Sequence, residues 1–155
     1  SMLITRNLGV LTLCALSAAL SVPAPVRLLV VTGGHDYPTS FYTLFEQEGL
    51  TWDHAVSNEE AFRKDLRGRY DALVLYDGSA KISPEGQAHF REFVEAGGGL
   101  LVLHHAIISY QDSDWFRDLV GGRYLLDTID GKPASTYLHD QDMNIRAVTP
   151  PPITQ

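Results

Sequence analysis

Short apolar runs alternate with amphipathic segments along most of the chain. Each apolar run is bounded by glycine or polar residues, which is typical of a buried strand. The segments between the runs carry apolar side chains at helical spacing, and serines stand where helices would begin. Strands and helices that alternate in this way predict a doubly wound parallel α/β sheet. The predicted strands are Val26–Thr32, Thr51–Val56, Asp71–Asp77 and Leu100–His104, and the predicted helices cover 40–48, 58–66, 83–96 and 114–120.

Polar side chains follow the predicted strands on one edge of the sheet. The fourth run comes after three glycines, carries no charge and ends on His104 and His105, as expected of a strand buried on both faces. Because ligands bind outside the carboxyl ends of parallel strands, we expect His104 to meet His35, Asp36 and Asp77 there. Side chains alternate along a strand, so His105 is expected to point away from His104. The alternative is a strand end whose histidines bond to backbone.

The N-terminal segment differs in kind from the rest. Arg6 precedes the apolar run 8–20, and no further charge occurs before Arg27. This length suits the core of a secretory signal better than a membrane span. We therefore expect residues 1–24 to direct export to the periplasm or exterior, with 26–155 as one domain and no membrane span after processing. The alternative is a buried N-terminal helix whose apolar side packs on another surface, for example a second copy of the chain in a homo-oligomer.

Composition excludes several classes of function. The net charge of −7 and the isoelectric point near 5.2 argue against nucleic acid or an anionic membrane as partner. The only cysteine, Cys14, lies in the N-terminal run, so the domain has no thiol nucleophile. No serine stands in a G-x-S-x-G elbow, and Gly33-Gly34 lacks the spacing of a phosphate-binding loop.

The remaining histidines and one tryptophan allow two interpretations each. His54 lies in the second strand and His89 on the polar side of a helix, and we expect both at the solvated surface. Trp115 is either the apolar side of a short helix or an aromatic wall that stacks on a sugar. His139 belongs to a polar cluster whose position the periodicity leaves open.

Three segments in order, Val30–Asp36, Gly97–Ala106 and Trp115–Tyr124, resemble the trehalose-utilisation (ThuA-like) family. The resemblance runs from Val26 to the end of the chain. It implies a flavodoxin-like fold similar to that of class I glutamine amidotransferases. It also implies that the chain holds roughly the front two-thirds of such a domain, so that the domain is C-terminally truncated.

The resemblance also assigns residues. His104 matches the family's histidine after the glycine run, at the turn where an amidotransferase would carry its cysteine. His35 matches the histidine of the first loop, and Trp115 matches the aromatic residue after the fourth strand. His139 and Asp140 match a histidine-containing segment that precedes the next strand.

Carbohydrate breakdown is the function that this resemblance implies, with a 3-keto-glycoside as substrate. A ketone acidifies the adjacent C–H group, and a neutral imidazole is a suitable base for that proton near pH 7. The reaction would be of the lyase, isomerase or hydrolase type. The expected catalytic residues are His104 and His35, and the expected substrate-binding residues are Asp36, Asp77, His105, Trp115 and His139.

The developing enolate needs a donor or a cation, for which a divalent metal ion is one option. The metal-ligand candidates are His35, His104 and His139, although no H-x-H or H-E-x-x-H spacing supports such a site. Two other classes compete with an enzyme of this type. One is a non-catalytic carbohydrate-binding or interaction module, and the other is an amidotransferase-like hydrolase, which needs a nucleophile that the domain lacks.

Overall fold

A parallel sheet forms the centre of the protein. The computed structural model describes residues 23–78, 80–144 and 146. Within them the strand order is β2-β1-β3-β4, and every neighbouring pair is parallel. The chain thus leaves β1 toward one side of the sheet and later returns to the other, which confirms the predicted doubly wound α/β class. The strands are β1 Val26–Gly33, β2 Leu50–Ala55, β3 Ala72–Asp77 and β4 Gly99–Val102.

Serine caps begin the three α-helices. The side chains of Ser57, Ser83 and Ser113 accept hydrogen bonds from backbone N–H groups in the first turn of their helices. Two 3-10 helices accompany the α-helices. The α-helices are α1 Asn58–Phe62, α2 Pro84–Glu95 and α3 Asp114–Val120, and the 3-10 helices are Thr39–Phe45 and His104–Ile108.

Two predicted helices are shorter or tighter than expected. The segment predicted over 40–48 is the first 3-10 helix, and Ser40 does not cap it. Thr43 there donates its hydroxyl to the carbonyl of Ser40, an i to i−3 contact that competes with the α-helical ladder. Helix α1 ends at Phe62, and further along Asp65 accepts the N–H of Arg67 in a local turn.

Apolar side chains cover both faces of the central strands. Alternate residues of β1 belong to different cores: Leu29 and Val31 face one, and Leu28 and Val30 face the other. The larger core lies under α1, α2 and α3. The smaller core lies under the first 3-10 helix. The larger core includes Phe62, Leu73, Leu75, Phe90, Phe93 and Phe116, and the smaller one Phe45 and Val74.

Strand β4 departs from the expectation of burial on both faces. In the part of the chain that the structure describes, it pairs with β3 alone. Leu100 and Val102 pack on the larger core, whereas Leu101 on the opposite face is 50% exposed. The strand also ends at Val102 rather than at His104. The faces of a strand are covered by the elements that pack on the sheet and not by the neighbouring strand, so an apolar run alone does not establish burial on both faces.

The predicted export segment 1–24 lies, but for its last two residues, outside the described ranges. Among the residues that the structure describes, none of the helices has the length and hydropathy needed to cross a bilayer.

Candidate functional site

Three imidazole rings meet at the carboxyl edge of the sheet. The loop after β1 carries His35, and the turn after β4 carries His104 and His105. The ring centre of His35 lies 5.7 Å from that of His104 and 5.1 Å from that of His105. The structure therefore brings together the two residues expected to be catalytic and adds His105 to them.

His104 has an unusual backbone conformation. Its φ angle is +52°, in the left-handed region, and it opens the second 3-10 helix. Such a conformation costs a residue other than glycine about 1–2 kcal/mol, and strain of this kind concentrates at functional sites. The preceding residue, Leu103, still donates its N–H to the carbonyl of Leu75, at 2.9 Å. The turn thus begins one residue after the last bond to the sheet.

The same turn overturns the expected orientation of His105. The ring centres of His104 and His105 are 3.8 Å apart, so the two side chains lie side by side. Alternation applies within a strand, and both histidines lie beyond the end of β4.

His35 is held by hydrogen bonds at both ring nitrogens. Its Nε2 atom lies 3.1 Å from the carbonyl oxygen of Tyr76, and its Nδ1 atom lies 3.1 Å from that of Asp36. A carbonyl oxygen only accepts, so both bonds form together only when both nitrogens carry a proton. The rings of Tyr76 and Tyr37 also lie against it in T-shaped arrangements. This environment fixes the orientation of His35.

His104 and His105 have ring nitrogens that are free to act. Both side chains are exposed, and neither makes a hydrogen bond to another protein group among the described residues. The pKa of His105 is lowered, first by partial burial and then by the neighbouring imidazoles of His104 and His35. The site thus combines one fixed imidazole with two that can accept a proton from a ligand.

Two glycines form the backbone surface beside the rings. A Cβ atom on Gly78 would lie 3.2 Å from the Cβ atom of His105 and 3.4 Å from Cδ2 of His35. Gly34 has a φ angle of +78°, and a Cβ atom there would overlap the carbonyl oxygen of Gly78. Only glycine allows the loops after β1 and β3 to approach so closely.

A crevice of about 350 Å³ opens next to these glycines. It lies between the carboxyl ends of β1 and β3, the point where the strand order reverses and where ligands of such sheets bind. Polar groups of the N-terminal turn of α1 form one wall, and the loop after β3 forms another. The lining residues are Thr32, Gly33, Gly34, Val56, Ser57, Asn58, Glu59, Gly78, Ala80 and Lys81.

Asp77 lies inside the protein rather than on the wall of this crevice. It is 1% exposed, and its Oδ2 atom accepts hydrogen bonds from Asn58 Nδ2 at 2.9 Å and from Ser109 Oγ at 2.7 Å. Burial raises the pKa of its carboxyl group, although the two hydrogen bonds oppose this shift. This placement does not favour the direct contact with a sugar that the sequence predicted for Asp77.

The other expected binding residues are dispersed. Asp36 is exposed beside His35. Trp115 packs on α2, with its ring centre 5.2 Å from that of Phe90 and the guanidinium of Arg91 over its face. This packing favours the first interpretation of Trp115, as the apolar side of a short helix, over an aromatic wall that stacks on a sugar. His139 is exposed and contacts Tyr137.

No metal centre is assembled from the described residues, where no three His, Cys, Asp or Glu side chains are placed to hold an ion. The candidates His35, His104 and His139 therefore do not form a ligand group. The two bonds of His35 to carbonyl oxygens also make its nitrogens poor metal ligands, because a ligand nitrogen must be deprotonated.

Neither histidine expected at the surface is simply solvated. His54 Nε2 lies 2.7 Å from Thr32 Oγ1 and 3.0 Å from the hydroxyl of Tyr42, which in turn bonds to the hydroxyl of Tyr37 at 2.7 Å. Burial and the bond to Tyr37 raise the pKa of Tyr42 to about 12. His89 Nδ1 lies 2.9 Å from the carbonyl oxygen of Phe62, at the end of α1.

The network around His54 supports the site indirectly, because it fixes Tyr37, whose ring contacts His35. This role of His54 and Tyr37 was not identified from the sequence. A signal was present, since His54 and Trp52 are two apart on β2 and so share a face, and Trp52 packs on the smaller core.

One family model and two solved structures match this chain. The family model ThuA, described as trehalose utilisation, matches residues 27–155. A ThuA-like protein from Parabacteroides merdae is similar in structure, with a TM-score of 0.52 and 22% identity over 60% of this chain and 37% of that one. A ThuA-like protein from Bacteroides uniformis has a TM-score of 0.47 and 20% identity over 68% of this chain and 47% of that one. The chain thus spans less than half the length of either, and no curated protein matches it.

Proposed function

The chain belongs to the ThuA, or trehalose-utilisation, family, and from this membership we propose that it processes carbohydrates by removing a proton beside a sugar ketone. The proposed substrates are 3-keto-glycosides, and the reaction is a lyase, isomerase or hydrolase reaction. The cluster of His35, His104 and His105 at the carboxyl edge of the sheet is the observation that carries the proposal.

His104 is the proposed base. Its ring nitrogens are free of protein hydrogen bonds within the described part of the chain, and its backbone is held in a strained turn next to the sheet. A base that is fixed in place and open to the ligand is preorganised for proton transfer. The imidazole takes the proton from the carbon next to the ketone, and the C–H electron pair becomes the enolate.

His35 and His105 have different proposed roles. With both nitrogens bonded to carbonyl oxygens, His35 stabilises the enolate through the electrostatics of a fixed ring, 5.7 Å from that of His104, rather than by donating a bond. The lowered pKa of His105 keeps that imidazole neutral near pH 7, so it can accept a hydrogen bond from the sugar. Loss of the glycosidic oxygen from the enolate, with return of the proton from His104 to the leaving alcohol, completes an elimination.

The crevice beside Gly78 is the proposed position of the sugar ring. It adjoins the imidazoles through Gly78, which lines the crevice and lies against His105 and His35. Ser57, Glu59 and Lys81 line it with groups that can bond to hydroxyls. Asp36, exposed beside His35, is a further proposed contact to the substrate.

Exchange of the acidic proton tests this proposal directly. Incubation of methyl 3-keto-glucoside in D₂O with the full chain should replace the hydrogen next to the ketone by deuterium, or release methanol, faster than buffer alone. Proton NMR follows both events. A protein that binds the keto-sugar but accelerates neither event would be a non-catalytic carbohydrate-binding module, and our proposal of an enzyme would be wrong.

The proposed location is the periplasm or the exterior of the cell. The basis is the sequence pattern alone, namely Arg6 followed by the uncharged run 8–20. Intact-mass measurement of the protein from its native host should show a first residue between Leu20 and Pro25. A mass that retains Met2 or Leu3 would exclude the proposal.

A small carbohydrate is the proposed partner, and a homo-oligomer is the proposed assembly only if the N-terminal segment is retained.

A further inference from the structure

Beneath the three imidazoles lies a buried polar cluster that the proposed reaction does not use. Its members are Asp77, Asn58 and Ser109, all at most 5% exposed, together with the buried Tyr110. Oδ2 of Asp77 accepts from Asn58 and from Ser109, and the hydroxyl of Tyr110 donates to Oδ1 of Asn58. One carboxylate oxygen thus connects β3 to α1 and to the segment that follows the histidines.

The turn that carries His104 and His105 is fixed at both ends. At its start, Leu103 bonds to β3. At its end, Ser109 Oγ accepts the N–H of Ala80 at 3.1 Å, and Tyr110 donates its N–H to the carbonyl of Ala80 at 2.9 Å. The histidine turn is therefore attached to β3 and to the loop after it, on either side of the two imidazoles.

Left-handed backbone conformations stand at the same two ends. The φ angle is +52° at His104 and +56° at Tyr110, and neither residue is glycine. Each conformation is strained and persists only where surrounding bonds hold it. The bond from Ser109 to Asp77 is placed next to the second of these residues. Without it, Ser109 would lose its side-chain link to β3, and the end of the turn would keep its bonds to Ala80 and the bond of Tyr110 to Asn58.

We propose that Asp77 is a positioning residue, which holds Ser109 and Asn58 so that the turn between Leu103 and Tyr110 presents His104 and His105 beside His35. The consequence for turnover rests on the proposed function, whereas the consequence for the geometry of the imidazoles does not. Asp77 acts through its Oδ2 atom as an acceptor. Its other oxygen is buried with no hydrogen-bond partner within the described residues, so the acceptor role rests on Oδ2 alone.

A pair of substitutions separates an acceptor from a charged group. Asp77→Asn retains an oxygen that can accept from Ser109 and Asn58 and removes the charge. Asp77→Ala removes the acceptor altogether. We expect turnover of methyl 3-keto-glucoside by Asp77→Asn to stay within a few-fold of wild type. We expect turnover by Asp77→Ala to fall about 100-fold, the size of effect that a displacement near 1 Å produces.

The imidazoles provide a readout that is independent of turnover. In wild type the pKa of His105 is lowered by its surroundings. Release of the turn moves His105 away from the groups that desolvate it and from the imidazoles of His104 and His35, so its pKa in Asp77→Ala should return toward the usual value of about 6.5. Asp77→Asn should leave it lowered. NMR titration of the imidazole signals of the full chain measures both.

Two further variants keep the test decisive. Ser109→Ala removes the bond from Ser109 to Asp77 and should shift the pKa of His105 in the same direction as Asp77→Ala. It therefore decides the question if Asp77→Ala does not fold. Tyr70→Phe is the matched control. It deletes a hydroxyl that bonds to Asp53 at 2.8 Å, away from the histidine turn. The pKa of His105 and the turnover should both stay unchanged.

Several results would overturn the inference. An unchanged His105 pKa in the folded Ala variants would show that Asp77 does not position the turn. Equal damage from Asp77→Asn and Asp77→Ala would show that the charge is what matters. If wild type shows no turnover, the proposed function fails, while the NMR titration still decides the role of Asp77.

Discussion

His104→Asn should lower kcat for a 3-keto-glycoside by about 100- to 10,000-fold, the usual contribution of a general base. Thermal stability should change little. The left-handed backbone at this position, with a φ angle of +52°, is one that asparagine adopts readily. The imidazole is exposed and makes no hydrogen bond to another protein group in the described part of the chain, so its loss breaks no contact of that kind. Asparagine therefore removes the base while it preserves the turn.

Steady-state kinetics and thermal denaturation of the full chain check this result. His89→Asn is the control for activity, because His89 lies on α2 outside the imidazole cluster. Its bond to the carbonyl of Phe62 gives it a structural role, so this variant does not control for stability. Activity of His104→Asn within a few-fold of wild type would show that His104 is not the base. A large loss of stability would show that the histidine serves to close the turn.

Gly34→Ala should destabilise the protein by about 3 kcal/mol. Part of this cost is the left-handed backbone, which penalises a residue with a Cβ atom by about 1–2 kcal/mol. The rest comes from overlap of the new Cβ atom with the carbonyl oxygen of Gly78, since overpacking of this kind typically costs about 1–3 kcal/mol. The loops after β1 and β3 would have to separate, and His35 lies on the first of them. Activity should fall together with stability.

Gly68→Ala separates these two causes. Gly68 has a φ angle of +71°, close to the +78° of Gly34, but a Cβ atom added there would meet nothing within 4 Å. Only the backbone cost applies there, so urea denaturation should give a loss of about 1–2 kcal/mol. Equal losses from the two variants would mean that the contact between Gly34 and Gly78 contributes nothing to the stability of the site.

Local signals in the sequence were sufficient for most of the fold. Helix α3 spans Asp114–Val120, as predicted, because Ser113 caps it and Gly121 ends it in a left-handed conformation. Strands β1 and β3 match their apolar runs to within one residue at each end. These features depend on a few neighbouring side chains, so the chain encodes them directly. The first 3-10 helix differs from its predicted form, since the bond from Thr43 to Ser40 is a local contact that periodicity does not register.

The position of the candidate site was equally accessible from sequence. Parallel strands place all their carboxyl ends on one edge, so a histidine after β1 and another after β4 had to lie at the same edge of the sheet. Three ordered motifs also identified the family, which the match over residues 27–155 confirms. Both inferences rest on topology and on residue order, which a sequence contains.

The orientation of individual side chains was decided only by the tertiary structure. His104 and His105 lie side by side because the chain turns after Val102, and that turn is held by bonds to Leu75 and Ala80 on a distant strand and loop. Asp77 is buried because Asn58 and Ser109 supply donors from segments 19 and 32 residues away. Contacts between residues so far apart in sequence leave no periodic trace. Apolar patterning therefore determines which elements form and which edge they share, whereas long-range hydrogen bonds decide which polar groups face the ligand and which are withdrawn from it.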